Sequence, residues 1–325
     1  ITPNPPENRT GKVVAVVGSG PAGLACAAQL NEAGHIVTVF EKADRAGGLL
    51  MYGIPHFKLD KKVVKRRIKL MEDEGIKFRT GVNVGVDVPL KKLMDDFDAV
   101  VLCGGSEKSR DLPVEGRDLD GIHFAMEFLP QQNKRNEGDT IPEDISLTAK
   151  DKNVLIIGGG DTGSDCLGTS LRQGAKNVYQ FELLPQPPET RGVTNPWPEW
   201  PRVMRVSSSH KETKTEITEY CVSTKKFSGD CGKVEKIHAI RIKFGDPDPK
   251  TGRPQMFEVE GSEFELDVDL VLLAMGFVHP VHEGMIKELE VKLDARGNVS
   301  CDENKMTSVD AVFVGNIYSR IDIYR

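Results

Sequence analysis

One glycine-rich turn occurs twice in this chain, and each copy follows a short apolar segment and precedes a segment with helical spacing. The first copy is Gly18–Gly23 (GSGPAG), and the second, Gly158–Gly163 (GGGDTG), begins 140 residues later. An apolar run before such a turn is typical of a buried parallel strand, and apolar residues three and four apart after it are typical of a helix. The repeat therefore predicts an α/β protein with two Rossmann-like dinucleotide-binding domains.

The surrounding pattern extends both repeats into larger units. The predicted strands are Val13–Val17, Ile36–Phe40, Ala99–Cys103, Asn153–Ile157, Asn177–Phe181 and Ala311–Val314, and the predicted helices are Ala22–Ala33, Val63–Gly75 and Thr162–Gln173. The six prolines of the segment 184–201, with Trp197 and Trp200, exclude a regular helix or a central strand there. The basic run Lys58–Arg67 predicts a solvated helix face.

The first turn has the residues that a bound pyrophosphate requires. Gly18 permits the tight turn, Gly20 lets a phosphate approach the backbone, and Gly23 permits close packing of helix and strand. The free N–H groups at the start of the helix, around Pro21 and Ala22, favour an anion. The acidic residue Glu41 ends the second strand, 23 residues after Gly18, where it can accept hydrogen bonds from ribose hydroxyls. Together these features favour a dinucleotide site over a plain glycine turn.

The segment after Glu41 indicates which dinucleotide binds there. Residues 41–48 (EKADRAGG) resemble the extended fingerprint of the two-dinucleotide-binding flavoproteins, in which the Gly-Gly pair passes close to FAD. A plain surface turn is the alternative. A strand running into glycine at Gly105 is a further feature of that group, and the late strand that ends at Gly315 and Asn316 resembles its second FAD contact.

The second turn repeats the same strand–turn–helix arrangement and would hold a second pyrophosphate. Glu182 closes the following strand, 24 positions after Gly158. A carboxylate in this position suits the free 2′-hydroxyl of NADH and repels the 2′-phosphate of NADPH. We therefore predict a preference for NADH, while NADPH stays open because Arg191 could contact a phosphate from the loop.

Composition excludes several other classes of function. The 43 basic and 49 acidic residues give a net charge of −6, which leaves no basic footprint for nucleic acid. No apolar stretch approaches the roughly 20 residues of a membrane span. The six cysteines form no Cys-x-x-Cys pair and are expected to be reduced, as in a cytoplasmic protein. The His, Cys and Glu residues show no metal-ligand or triad spacing, so we predict no metal and no catalytic side chain.

A closer resemblance covers nearly the whole chain. It rests on residues 16–24, 47–55 with 57–59, 158–162, 182–188, 195–202 and 269–277. These segments resemble the small (β) subunit of glutamate synthase, or the equivalent domain of the fused single-chain enzyme. Related flavin modules of dihydropyrimidine dehydrogenase and NADH-dependent ferredoxin:NADP oxidoreductase are also similar. The tryptophan–proline segment 195–202 separates the glutamate synthases from these relatives.

The resemblance implies two sets of cofactor-binding residues. Those implied for FAD are Gly18, Gly20, Pro21, Ala22, Gly23, Glu41, Lys42, Gly48, Leu49, Lys58, Val84, Gly105, Gly315 and Asn316. Those implied for the nicotinamide nucleotide are Gly158, Gly160, Asp161, Thr162, Glu182, Leu183, Ala274, Met275 and Gly276. It also implies a discontinuous FAD domain, residues 1–130 and 281–325, with the NAD(P)H domain 131–280 inserted between them.

The resemblance implies a reaction as well. NADH, or NADPH, would reduce FAD, and iron–sulfur clusters of an upstream domain would carry the electrons to the glutamate synthase large subunit, which makes glutamate from glutamine and 2-oxoglutarate. Two rival hypotheses are a related NAD(P)H:ferredoxin-type flavin oxidoreductase and a non-catalytic nucleotide-binding fragment.

Both ends of the chain bear on these expectations. The start, Ile1–Pro6, resembles a linker after an upstream domain, so we expect a fragment of a longer protein that lacks the clusters. The family has Gly-Asp and a helix start beside the flavin ring, whereas this chain has Gly315-Asn316. The departure predicts weaker stabilisation of the reduced flavin's charge and puts FAD retention in doubt.

Overall fold

A computed structural model describes residues 2–193, 195–198, 203–213, 217–249 and 254–315. They form two compact units, which we call unit 1 (residues 2–108 and 277–315) and unit 2 (the described part of 109–276). Unit 2 is therefore inserted into the chain of unit 1. The boundaries of the units lie at 108/109 and 276/277, whereas we expected domain boundaries at 130/131 and 280/281. The first lies earlier in the chain because Ile122–Phe124 is already a strand of the unit 2 sheet.

The described residues form fourteen strands and eight α-helices. The strands are β1 Val13–Val17, β2 Ile36–Glu41, β3 Lys77–Thr80, β4 Ala99–Leu102, β5 Ile122–Phe124, β6 Asn153–Ile157, β7 Asn177–Glu182, β8 Thr218–Tyr220, β9 Val222–Ser228, β10 Lys236–Pro247, β11 Pro254–Glu258, β12 Phe264–Asp267, β13 Leu270–Leu273 and β14 Val312–Val314. The helices are α1 Pro21–Glu32, α2 Leu49–Tyr52, α3 Lys61–Asp73, α4 Leu90–Asp96, α5 Ala125–Asn136, α6 Asp161–Arg172, α7 Ser208–Lys211 and α8 Met285–Leu289. Every predicted strand and helix is present, with ends that differ by at most two residues.

Unit 1 is built on a parallel five-stranded sheet with the strand order β14-β4-β1-β2-β3. The two faces of β1 belong to two different hydrophobic cores. Val14 and Val16 pack with α1 on one face, whereas Ala15 and Val17 pack with α4 and α8 on the other. A strand buried on both faces must be apolar throughout, which explains its sequence. The chain runs from β1 outward to β3 and then returns to β4 on the other side of β1. That reversal opens a crevice at the carboxyl ends of β1 and β4.

Unit 2 repeats this plan and adds a second sheet. Its parallel sheet has the order β5-β13-β6-β7-β8, so the reversal lies between β6 and β13. Strands β9 to β12 form an antiparallel sheet in which β10 pairs with each of the other three. Phe227 and Ile237 of the antiparallel sheet share one core with Leu155 and Val271 of the parallel sheet. The parallel sheet therefore has a covering layer on that face.

Two sequence-based expectations concern segments outside the sheets. The described part of the proline-rich segment forms no helix or strand, as predicted, and Trp197 is 82% exposed, while Trp200 lies outside the described residues. The basic run lies on α3, and most of it is solvated. Lys61 is the exception, because its side chain is fully buried and its Nζ donates to the carbonyl oxygens of Leu50 (2.8 Å) and Ile54 (2.5 Å). Among the described residues no helix is both long and apolar enough to cross a bilayer.

Candidate functional sites

The first glycine turn connects β1 to α1 in unit 1. Gly18 has φ +105°, and a Cβ there would lie 2.4 Å from the Cys103 carbonyl oxygen. A Cβ at Gly23 would lie 1.9 Å from the Gly18 carbonyl oxygen, so both positions require glycine. Gly20 differs: a Cβ there would meet no atom within 4 Å. The start of α1, at Pro21 and Ala22, therefore borders open space, as a phosphate-binding turn requires.

Glu41 is tied to this turn by hydrogen bonds. Its Oε2 accepts from the N–H (3.1 Å) and the hydroxyl (2.5 Å) of Ser19, and its Oε1 accepts from the Ala43 N–H (2.8 Å). The Ser19 hydroxyl in turn accepts from the Gly47 N–H at 2.9 Å. Ser19, which the sequence analysis did not identify, is fully buried and joins three segments that surround the turn.

Four more of the predicted FAD residues lie around the same turn. A Cβ at Gly48 would lie 2.8 Å from the Gly20 Cα, and one at Gly315 would lie 2.6 Å from the Cys103 Sγ. Leu49, the first residue of α2, is 49% exposed. Because β1, β4 and β14 are parallel, the segments that follow them meet at one edge of the sheet. Gly105 follows β4 at that edge and has φ +74°, with open space at its Cβ position.

The remaining predicted FAD residues are placed differently. Lys42 and Lys58 are exposed, and the Lys42 ammonium pairs with the Glu107 carboxylate. The Val84 side chain is 4% exposed and lies in the core. Its N–H and C=O form no hydrogen bond with the described residues, so only its backbone is available to an adenine edge. Asn316 lies outside the described residues.

The second turn, in unit 2, repeats the geometry of the first. Gly158 has φ +122°, and a Cβ there would lie 2.3 Å from the Ala274 carbonyl oxygen. A Cβ at Gly163 would lie 2.2 Å from the Gly158 carbonyl oxygen, whereas one at Gly160 would meet nothing within 4 Å. Asp161 and Thr162 then begin α6, so this helix start also borders open space.

Glu182 occupies the position that Glu41 has in unit 1. Its Oε2 accepts from the Gly159 N–H at 2.6 Å, and its Oε1 accepts from the Leu184 N–H at 2.9 Å. Glu182 is half-buried, and Leu183 beside it is 44% exposed. The carboxylate therefore lies next to the turn, and it is partly open to solvent.

The turn after β13 completes the edge of the second site. The Ala274 N–H donates to the Ile157 carbonyl oxygen at 2.8 Å, which places the start of this turn beside the end of β6. Met275 follows, and Gly276 has φ +80° with open space at its Cβ position. The predicted residues of the second site thus lie on three neighbouring strand ends: those of β6, β7 and β13.

A partly buried polar network supports the second turn. The Gln180 Nε2 donates to the Gly158 carbonyl oxygen at 2.8 Å, so its Oε1 faces the His210 Nε2 (2.8 Å) and the Thr218 hydroxyl (3.0 Å). Because that oxygen only accepts, the His210 Nε2 carries a proton, and the His210 Nδ1 contacts the Ser207 hydroxyl at 2.7 Å. Gln180 is a polar residue within a buried strand, and this could have indicated the network from the sequence.

A cavity of about 360 Å³ lies beside this network in unit 2. It is lined by residues of the turn, of β7 and β8, and of the segment around α7: Gly159, Gln180, Met204, Arg205, Val206, His210, Thr213, Ile217, Thr218 and Tyr220. The sequence analysis missed it because its walls come from segments far apart in the chain.

Two titratable side chains near the first turn stay neutral at physiological pH. A hydrogen bond with Cys26, together with burial, raises the pKa of the Cys103 thiol, and the same hydrogen bond lowers the pKa of Cys26. Burial raises the pKa of Tyr52 to about 12, and its hydroxyl also contacts Asp44 and Arg45. Within the described residues no group of three or more His, Cys, Asp or Glu side chains could hold a metal ion.

Comparison with curated proteins agrees with the sequence-based resemblance. The chain is 51% identical over 323 residues to a protein named glutamate synthase [NADPH] small chain from Mycobacterium tuberculosis (strain CDC 1551 / Oshkosh), covering 98% of this chain and 64% of the relative. It is 50% identical over 321 residues to glutamate synthase [NADH] of Schizosaccharomyces pombe (strain 972 / ATCC 24843), covering 96% of this chain and 15% of that protein. The chain thus spans less than two thirds of the length of these relatives.

Solved structures confirm the predicted fold. FprA from Mycobacterium tuberculosis, solved in complex with NADPH, superposes with a TM-score of 0.71 at 20% identity, covering 95% of this chain and 79% of that one. Thioredoxin reductase from T. acidophilum superposes with a TM-score of 0.59 at 20% identity, covering 94% and 90%. At such identities the likeness shows the two-dinucleotide-binding fold alone.

The family is shown by its sequence profile. Residues 12–200, which include both glycine turns, match the pyridine nucleotide-disulphide oxidoreductases. The match confirms the predicted class, an oxidoreductase that uses a pyridine nucleotide. This chain belongs to the pyridine nucleotide-disulphide oxidoreductase family.

Proposed function

We propose that this chain is the flavin- and nicotinamide-binding part of a glutamate synthase. It would take reducing equivalents from NADH or NADPH and pass them on for the synthesis of glutamate from glutamine and 2-oxoglutarate. The observation that carries the proposal is the repeated site: two glycine turns at two sheet reversals, each with a carboxylate hydrogen-bonded to the second residue of the turn. The high identity to glutamate synthase small chains supports the choice of reaction.

The first site fits FAD. Open space at Gly20 gives a pyrophosphate access to the start of α1. The backbone N–H and C=O of Val84 form no hydrogen bond with the described residues, so they suit the edge of an adenine. Glu41 would accept a ribose hydroxyl, while Gly48 and Gly315 leave no side chain between the turn and the ligand. Bound FAD would supply the capacity to accept a hydride and release single electrons.

The second site fits a nicotinamide nucleotide. Gly160, Asp161 and Thr162 would receive its pyrophosphate at the start of α6. Glu182 would accept from the hydroxyls of the adenosine ribose, and this contact favours NADH. The turn formed by Ala274, Met275 and Gly276 would line the remaining side. This chain's own residues bind and orient the nucleotide, and no side chain is required as a nucleophile.

The proposal extends to the partners of the chain. Iron–sulfur clusters in a domain upstream of these residues would receive the electrons, and the glutamate synthase large subunit would use them. Six free cysteines agree with a reducing, cytoplasmic location.

Glutamate formation tests this proposal. The full-length protein that contains this chain would be combined with its large subunit, glutamine, 2-oxoglutarate and NADH or NADPH. We expect glutamate to form in proportion to the nucleotide oxidised, and we expect a Gly160→Ala variant to lose both activities. Oxidation of the nucleotide with ferredoxin or a quinone as acceptor, without glutamate, would instead favour the related ferredoxin-type oxidoreductase.

A further inference from the structure

We propose that Ser228, His238 and Glu265 form a nucleophilic site on the antiparallel sheet of unit 2, where Ser228 is acylated by small carboxylic esters and then released by hydrolysis. This esterase activity is separate from the hydride transfer proposed above. It uses neither flavin nor nicotinamide nucleotide, and its residues belong to neither glycine turn.

Strand pairing brings the three side chains together. Ser228 ends β9, His238 lies in β10 and Glu265 lies in β12. His238 pairs with Lys226 of β9 on one side and with Glu265 on the other. Because alternate residues of a strand share a face, Ser228 lies on the same face as Lys226. Phe227 between them belongs to the core, so the site lies on the face of the sheet that is turned away from the core.

The distances match those between a nucleophile, its base and an orienting carboxylate. The Ser228 Oγ lies 2.7 Å from the His238 Nε2, and the His238 Nδ1 lies 3.1 Å from the Glu265 Oε1. A nucleophile and its base lie about 2.6–3.2 Å apart in such sites. The order from serine to imidazole to carboxylate is that of the catalytic triads, which are recognised by geometry and not by position in the sequence.

The charge of Glu265 selects the tautomer of His238. The Lys236 Nζ donates to the Glu265 Oε2 at 3.0 Å, and this hydrogen bond lowers the pKa of that carboxyl. An ionised carboxylate only accepts hydrogen bonds, so the Nδ1 that faces it carries the imidazole proton. The Nε2 then accepts from the Ser228 hydroxyl, and in this arrangement the imidazole can take the serine proton.

A groove of about 540 Å³ lies beside these groups. His238 and Glu265 line it, together with Lys226 and Phe264. The Phe264 side chain offers apolar surface to a short acyl chain, and the volume is within the usual size range of small-molecule sites. The Lys226 ammonium supplies positive charge for the oxygen that becomes negative in the transition state. The groove therefore suits a small ester.

The reaction has two steps. In the first, the Ser228 Oγ bonds to the acyl carbon, its proton passes through the His238 Nε2 to the departing alcohol, and the ester C–O bond breaks. In the second, water attacks the acyl carbon, its proton passes through the same nitrogen to the Ser228 Oγ, and the carboxylic acid leaves. Glu265 stays ionised and acts through His238, so it is a positioning residue.

Hydrolysis of 4-nitrophenyl acetate by the full-length protein tests the inference. The wild type would be compared with Ser228→Ala, His238→Gln and Glu265→Gln, with Ser223→Ala as the matched control. Ser223 is a half-buried serine of the same strand that lies opposite Ile240 instead of a histidine. Thermal unfolding would establish that each variant is folded.

We expect kcat to fall about 10²-fold or more in Ser228→Ala and in His238→Gln, and to stay unchanged in Ser223→Ala. Glu265→Gln should lower kcat about tenfold at an unchanged KM, because it weakens the stabilisation of the imidazolium and leaves the groove intact. A purely structural role of Glu265 would raise KM instead.

A fluorophosphonate probe provides a second measurement, since it bonds covalently to an activated serine and releases fluoride. Peptide mass mapping should locate its adduct on Ser228 in the wild type and find none in His238→Gln. Absence of the adduct from wild-type Ser228, or hydrolysis that Ser228→Ala leaves unchanged, would overturn the inference. Oxidation of NADH or NADPH tests the proposed function separately and should be the same in all four variants.

Discussion

Replacing Gly20 with alanine should separate FAD binding from folding. Gly20 has φ −65° and ψ −178°, which alanine adopts freely, and an added Cβ would meet no protein atom within 4 Å. The unfolding free energy of the apoprotein should therefore stay unchanged or rise by up to about 1 kcal/mol, because alanine restricts the unfolded chain. The methyl group would nevertheless occupy the space through which a pyrophosphate reaches the N–H groups of α1.

The size of the binding defect follows from the hydrogen bonds that the methyl group would deny to the pyrophosphate. A hydrogen bond to a charged group contributes about 1.5–3 kcal/mol, so the absence of two of them costs about 3–6 kcal/mol. This corresponds to FAD binding weakened by about 10²- to 10⁴-fold. Flavin fluorescence titration would measure the affinity, and urea unfolding of the apoprotein would measure the stability.

Gly23→Ala is the matched comparison. Its Cβ would lie 1.9 Å from the Gly18 carbonyl oxygen, so this variant should lose stability by several kcal/mol, in contrast to Gly20→Ala. FAD affinity of Gly20→Ala within about threefold of the wild type would refute the placement of the pyrophosphate at this turn. Destabilisation of apo Gly20→Ala as large as that of Gly23→Ala would refute the open space on which the reasoning depends.

Three further predictions concern single side chains. Lys61→Met should lower the unfolding free energy in urea by about 2–4 kcal/mol, because two buried carbonyls lose their donor, and a change below about 0.5 kcal/mol would contradict this. The hydrogen bond from Lys12 lowers the pKa of Asp98, so the ionised Asp98 stabilises the fold above the ordinary pKa of 3.8, and this stabilisation is lost as the pH falls through the lower folded-state pKa. The Asp98→Asn variant should therefore lose less unfolding free energy than the wild type below about pH 4. An unchanged dependence of the unfolding free energy on acidic pH would contradict the role of the pair. Glu182→Gln should lower kcat/KM for NADH about tenfold, while kcat/KM for NADPH stays the same or rises. Equal losses of kcat/KM for both nucleotides would show that the hydrogen bond between Glu182 and Gly159 matters only for folding.

Local signals explain what the sequence could predict. Gly18, Gly158, Glu41 and Glu182 were identifiable because strand, turn and helix follow one another within about thirty residues of a βαβ unit. The same locality accounts for the correct strands and helices of both sheets. The strand Ile122–Phe124, at the edge of the unit 2 sheet, was not predicted, because three residues show no recognisable periodicity.

Long-range packing explains what the sequence could not predict. The run that contains Lys61 resembles a solvated helix face, and only the packing of α2 against α3 buries that one ammonium. To identify Ser19 from the sequence, one would have to know that the Glu41 side chain points back toward the glycine turn. The cavity of unit 2 is lined in part by Met204, Arg205 and Val206, which belong to a segment with no regular pattern, so neither spacing nor periodicity indicates them.

An anaerobic titration of the FAD-loaded protein with NADH and with NADPH tests most directly whether two copies of one turn bind two different dinucleotides. Gly160→Ala is the informative variant, since its added Cβ would meet no protein atom within 4 Å. We predict that the nucleotide bleaches the flavin absorbance of the wild type, that Gly160→Ala retains FAD but is not bleached by either nucleotide, and that dithionite bleaches both proteins. Loss of FAD from Gly160→Ala, or bleaching as efficient as in the wild type, would contradict the division of the two sites between the two units.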